Sequence, residues 1–96
     1  MLNQLVLVGR IAKLPTEKKK ESVVITLAVP RNFKNKDGEY EVDTLPCSLF
    51  GNVGSATLEY CQVGDIVGLN GRLEMNKDKI VIVAEKVTFL SSTSKD

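Results

Sequence analysis

Val53, Ala56, Thr57, Tyr60 and Cys61 fall at i, i+3, i+4, i+7 and i+8, the spacing of one helix face. Elsewhere the apolar residues come in short runs rich in Val, Ile and Thr, as strands do. This one change of period divides the chain into three strands, a short helix and two further strands. Leu2 to Leu14 reads as the first strand, apolar on both faces at Leu5-Val6-Leu7-Val8 and interrupted by Gly9, which marks a bulge or sharp bend. A polar loop, Pro15 to Glu21, carries Lys18-Lys19-Lys20. Ser22 to Phe33 is the second strand; Pro30 lacks an N–H, so that end lies at an edge or leaves the ladder. Asp37-Gly38 signals a hairpin into the third strand, Tyr40 to Phe50, which Pro46 weakens. The helix runs from Asn52, its cap, to Cys61, with Gly64 after its end. Asp65 to Met75 and Ile80 to Leu90 are the last two strands, joined by the tight turn Asn76 to Lys79.

Five strands at this spacing favour a small closed barrel, because closure removes exposed edges. The fold expected is all-β: a five-stranded OB-fold barrel with a short helix between strands three and four. Residues 1–90 form that single domain and residues 91–96 a short polar tail; 96 residues are too few for two cores. An OB-fold binds oligonucleotides or oligosaccharides across its second and third strands, but a fold does not fix a function.

Histidine is absent, which removes Ser-His-Asp and Cys-His nucleophile systems and any His-ligated metal. No glycine loop for phosphates and no convincing carboxylate pair appears; Glu39, Glu41 and Asp43 read as a solvated strand edge. No enzyme, metal or cofactor is expected. Cys47 and Cys61 form no redox motif and are read as small buried hydrophobes in a reducing compartment. No apolar run approaches the roughly 18 residues of a membrane span, and no secretion signal opens the chain, so a cytoplasmic protein is expected.

The formal charge is only +1, but it is unevenly spread. Residues 1–36 hold eight basic and two acidic side chains; residues 37–71 hold six acidic and none basic. Either one face is built for a polyanion, or the charges mix once the chain folds. The hairpin of strands two and three carries Arg31, Phe33, Lys34, Lys36, Tyr40 and, at its far end, Phe50. Cations neutralise phosphates and flat rings offer a stacking platform to unpaired bases. Phe33, beside a turn between Asn32 and Lys34, favours the platform; Phe50 fits either platform or core, and Tyr40 is open. Phe89, among apolar neighbours, is expected in the core. Arg10, Arg72, Lys77 and Lys79 complete the candidate phosphate contacts, and the triple lysine fits either a contact or a solvated loop.

At this point the chain resembles the bacterial single-stranded DNA-binding protein family. The resemblance rests on Met1-Leu2-Asn3, Leu7-Val8-Gly9-Arg10, Thr26 to Phe33, Lys34 to Glu39, Cys47-Ser48-Leu49-Phe50-Gly51, Val63-Gly64-Asp65 and Val67 to Leu73, in that order. It implies an OB-fold that assembles as a homo-oligomer, a tetramer before a dimer, and binds and protects single-stranded DNA without sequence preference in replication, recombination or repair. It also implies that bases stack on the rings of Phe33 and Phe50. Three departures are visible. Many members carry an aromatic six residues before the one at Phe50, where Thr44 stands here. Many carry a long basic hairpin between strands four and five, reduced here to Asn76-Lys77-Asp78-Lys79. Cellular members end in a flexible linker with an acidic tip that recruits repair enzymes. This chain stops at Ser91 to Asp96, so recruitment through such a tip is not expected, and a phage, plasmid or mobile-element origin or a trimmed core fits. The runner-up resembles the primosomal replication protein of the same fold, an adaptor assisting helicase loading at restarted forks. A third reading is a pure protein-interaction module.

Overall fold

A computed structural model of the chain describes residues 1–15 and 22–92. The Lys18-Lys19-Lys20 loop and the tail beyond Ser92 lie outside the described residues. Five strands and one helix follow the expected order: β1 (Leu5–Lys13), β2 (Ser22–Lys34), β3 (Tyr40–Phe50), α1 (Gly51–Tyr60), β4 (Ile66–Asn76) and β5 (Lys79–Ser91). β1 starts three residues later than expected, and Met1 to Gln4 enter it as exposed, non-ladder backbone.

The strands close in the order β1-β2-β3-β5-β4, the barrel of an OB-fold. β1 pairs antiparallel with both β2 and β4. The seam that shuts the barrel is a parallel pairing of β3 with β5, Cys47 opposite Ile82 and Leu49 opposite Ala84. Side chains alternate across each strand. On β2, Val23, Ile25 and Leu27 point in; on β3, Cys47 and Leu49; on β4, Val67 and Leu69; and Ile11 joins them from β1. Burying these branched aliphatic side chains is the main stabilising term, about 1.5–3 kcal/mol for each fully buried Val, Leu or Ile.

Two local expectations are corrected. Gly9 is not a bulge: it sits in register opposite Val67, and a Cβ there would meet the Ala28 carbonyl oxygen at 2.7 Å and Val29 Cγ2 at 2.9 Å. The glycine lets β1 lie close on β2, and the register slip falls later, between Ile11 and Lys13. Pro46 does not weaken β3; it stands opposite Thr26 in an unbroken stretch of ladder. Pro30 behaves as expected, since the β2–β3 ladder breaks directly after it.

The helix is also rotated from its expected face. Asn52 is not its cap; α1 leaves β3 directly, with Phe50 in extended backbone at the N-cap and no side-chain cap. Gly51, at φ 58°, supplies the left-handed turn of the chain there. Gly54 and Thr57 are buried, with Cys61 beyond the end, while Ala56 and Tyr60 are exposed. Gly54 explains the rotation: a Cβ on it would stand 3.2 Å from both the Leu49 carbonyl oxygen and Val23 Cγ2. The helix seats Gly54 and Thr57 on the barrel end, with Val53 and Leu58 packed against the core on either side, and leaves Ala56 and Tyr60 facing out.

Candidate nucleic-acid interface

β2 and β3 run on past the barrel as an arm. At its tip the Asn35 side-chain oxygen accepts from the backbone N–H of Asp37 at 2.9 Å and of Glu39 at 3.0 Å. Gly38 takes φ 80° to complete the turn, as the Asp-Gly pair anticipates. Lys34 and Tyr40 are register partners, and the Lys34 ammonium lies 5.8 Å from the centre of the Tyr40 ring. Lys36 stands exposed at the turn.

The aromatic candidates are all accessible. Phe33 is 66% exposed, Tyr40 55% and Phe50 50%, so none is a core residue. The core reading of Phe50 is thereby corrected, and its ring is accessible. It lies on the outer face of β3 in line with Thr44, Pro46 and Ser48, whose alternates Cys47 and Leu49 are buried. Phe33 and Phe50 are not adjacent: Phe50 pairs with Ser22 at the start of β2, whereas Phe33 is near its end. Phe33 borders an open groove of about 590 Å³ with Val6 and Val8 of β1, Pro30 and Arg31 of β2, and Asp43 of β3.

Phe89 corrects the sequence reading, being 50% exposed rather than core. It pairs with buried Val67, as Val87 does with Leu69, but stands at the barrel rim. There α1 leaves an open groove of about 390 Å³ beside it, lined also by Tyr60 and Val87.

The arginines divide into two kinds. The Arg10 guanidinium donates to the Gly64 carbonyl at 3.2 Å and keeps its charge toward solvent. Arg31 is fully engaged: Nε and Nη2 donate to the two Asp43 carboxylate oxygens at 3.1 Å each, and Nη1 lies 3.0 Å from Glu41 Oε1. The hydrogen bond from Arg31, with its charge, holds the Asp43 carboxyl below the usual carboxylate range. Arg72 is engaged likewise, donating to Glu74 at 2.7 Å and to Glu85 at 2.9 Å. Glu41 and Asp43 are thus part of a bridge rather than a merely solvated edge. Their signal was legible as acids at alternate positions of one strand, opposite an arginine. Among the described residues, Lys36, Lys77 and Lys79 form no ion pair, and Lys77 and Lys79 flank Asp78 at the β4–β5 turn. The basic and acidic halves of the chain therefore mix in part on folding.

The cysteines are free and buried. Burial pushes the Cys47 thiol up to about 11 and raises that of Cys61, with the Asp65 charge adding to the latter. Among the described residues no helix is long and apolar enough to cross a membrane.

Exposed rings and lysines lie together on an arm of strands two and three, set on a five-stranded closed barrel, the architecture of the OB-fold class. The comparisons make the class specific. The family model described as the single-strand binding protein family matches residues 2–90, and the chain belongs to that family. It is 42% identical over 78 residues to single-stranded DNA-binding protein B of Bacillus subtilis, covering 77% of this chain and 69% of that one. It is 31% identical to single-stranded DNA-binding protein 1 of Clostridium acetobutylicum over 95% of this chain and 96% of that one. The crystal structure of the small single-stranded DNA-binding protein from Streptomyces coelicolor superposes with a TM-score of 0.69 over 94% of this chain and 95% of that one. At 17% identity, that likeness establishes the fold.

Proposed function

We propose that this chain binds single-stranded DNA without base preference, by stacking bases on exposed rings and drawing phosphates to the lysines and to Arg10. The observation that carries it is the arm itself: Phe33 and Tyr40 exposed beside Lys34 and Lys36, with Phe50 on the same hairpin. Every base has a π-face, so stacking is tolerant of sequence. Lys77 and Lys79 extend the phosphate path from the second hairpin. Family membership and the names of the relatives support the reading. The activity is binding, not catalysis, and its setting is DNA replication, recombination or repair in the bacterial cytoplasm.

The working form is a homo-oligomer, with a tetramer favoured. The support is apolar surface that one barrel leaves uncovered: Val6 and Val8 on β1, Leu73 and Met75 on β4, and Ile80 on β5. They form two patches, Val6 with Val8 on the outer face of β1, and Leu73 and Met75 with Ile80, the register partner of Met75, on the other face of the sheet; adjacent apolar side chains of this size tend to be covered. Light scattering of the protein alone and with poly-dT tests both parts. A multiple of the 10.5 kDa chain mass that saturates on poly-dT supports them. A monomer that ignores poly-dT contradicts both.

A further inference from the structure

Both engaged arginines sit where a β-ladder breaks. On β2, Pro30 pairs with Val42 and Lys34 with Tyr40, so Arg31, Asn32 and Phe33 stand opposite the single residue Glu41. No regular backbone pairing spans this gap. What spans it is Arg31, which reaches Glu41 and, bidentately, Asp43 on β3. On the other hairpin, Asn70 pairs with Lys86 and Gly71 with Ala84, which leaves Glu85 as the extra residue of a bulge. Arg72 donates to that Glu85. In each case a planar guanidinium ties down the strand where main-chain hydrogen bonds lapse. A bidentate Arg–carboxylate pair is suited to this because its fork geometry fixes direction as well as distance.

We propose that Arg31 is a positioning residue: its bridge to Asp43 and Glu41 sets the arm carrying Phe33, Lys34 and Tyr40 at the angle DNA binding needs, and Arg31 is not itself a phosphate contact. The inference rests on the reading of the chain as a single-strand binder. Charge supports it. Arg31 with Glu41 and Asp43 is a net negative cluster, which does not attract a phosphate. Both acids are about half exposed, like the arginine, so the bridge adds little to global stability and acts locally, on the arm. Bulges commonly re-aim side chains beside functional sites. Phe33 is the last of the three residues in this one and leans into the groove that Arg31 and Asp43 also line.

The opposite assignment, Arg31 as a phosphate contact, predicts different behaviour. Removing a nearby acid then frees the arginine and tightens binding. Removing a positioning partner loosens it, although the site becomes more positive.

The test compares wild type, Arg31→Ala, Asp43→Ala and the charge-swapped Arg31→Asp with Asp43→Arg. Binding of oligo-dT is measured across a salt series, and amide hydrogen exchange is measured without DNA. The proposal expects Arg31→Ala and Asp43→Ala both to weaken binding by a similar factor of about 3–30. The slope of log K against log salt stays unchanged, and the swap recovers part of the affinity. In the same variants, amides around the break from Phe33 to Val42 exchange faster while the melting temperature barely moves. If Asp43→Ala tightens binding, or Arg31→Ala flattens the slope by the roughly 0.7 expected for one lost phosphate contact, Arg31 is a contact and the proposal fails. Unchanged exchange across the break overturns it regardless of DNA. Failure of the wild type to bind oligo-dT overturns the binding function instead, while the exchange result still decides whether Arg31 braces the arm.

Discussion

Asn3 clasps the backbone of Leu73 at both ends of one residue. Its side-chain nitrogen donates to the Leu73 carbonyl at 2.8 Å, and its side-chain oxygen accepts from the Leu73 N–H at 2.9 Å. The β1–β4 register runs from Arg10–Ile66 to Leu5–Gly71, and Asn3 falls opposite Leu73 in the same register. An amide side chain thus continues a ladder that the backbone has left. Only Asn or Gln offers donor and acceptor together in this way.

Asn3→Ala therefore removes two hydrogen bonds at the exposed end of the β1–β4 ladder, at a cost of about 1–2 kcal/mol. Asn3→Asp keeps one acceptor, sets it against the Leu73 carbonyl, and loses at least as much. Urea unfolding with an unchanged m-value is the check. Midpoints equal to wild type would show the clasp to be incidental.

Gly71 and Gly68 lie on the same strand and respond oppositely to a methyl group. A Cβ on Gly71 would collide with the Val83 carbonyl oxygen and stand 3.1 Å from its carbonyl carbon, both backbone atoms at the β4–β5 bulge. Gly71→Ala is expected to cost at least about 3 kcal/mol or to prevent folding, since backbone cannot yield as a side chain does. At Gly68 the nearest atom is Leu90 Cδ1 at 3.6 Å, an ordinary contact. Gly68→Ala is expected to be neutral or stabilising by up to about 1 kcal/mol. Thermal melts of the two variants check the contrast.

The order of elements was legible because Val, Ile and Thr runs, Asp37-Gly38 and the period change at Val53 are local signals. What closes the barrel was not. The parallel seam of Cys47 with Ile82 joins residues far apart in sequence and leaves no local trace. Of the helix face that the spacing marks, Val53, Thr57 and Cys61 do face the core, but Ala56 and Tyr60 do not, because packing selects Gly54 for its lack of a side chain, which a count of apolar residues misses. The apolar neighbours of Phe89 in the sequence point to the core, but the groove beside α1 leaves it at the rim. At the candidate site the residue types were readable and the pairing was not. Arg31 and Lys34 look alike as cations in a sequence; only the ladder break shows that one is spoken for by Asp43.

The thiols give a test of the core that needs no DNA. Cys47 is fully buried, and its thiol is pushed up to about 11 from an ordinary 9.0. The folded state keeps its proton where the unfolded chain loses it. The stabilising contribution is thus complete below pH 9 and falls as pH rises from 9 toward about 11. Near pH 8 a thiol reagent should leave Cys47 unmodified in native protein and find both thiols after denaturation without reductant. Rapid labelling of Cys47 in the native state would contradict its place inside the barrel.

Stacking by Phe33 is the central claim, and one measurement meets it directly: the affinity of Phe33→Ala for fluorescein-labelled oligo-dT, with its melting temperature read on the same preparation. Phe33 is 66% exposed, so truncation removes little burial. Phe50→Ala, at 50% exposure, serves as the parallel case, and Thr44→Trp adds a ring on the same outer face of β3 and should tighten binding. The account predicts that Phe33→Ala loses about 1–3 kcal/mol of binding free energy while the melting temperature stays within a degree or two of wild type. Unchanged affinity together with a sharp fall in melting temperature would contradict it, making Phe33 a structural residue and leaving only the cations to hold the strand.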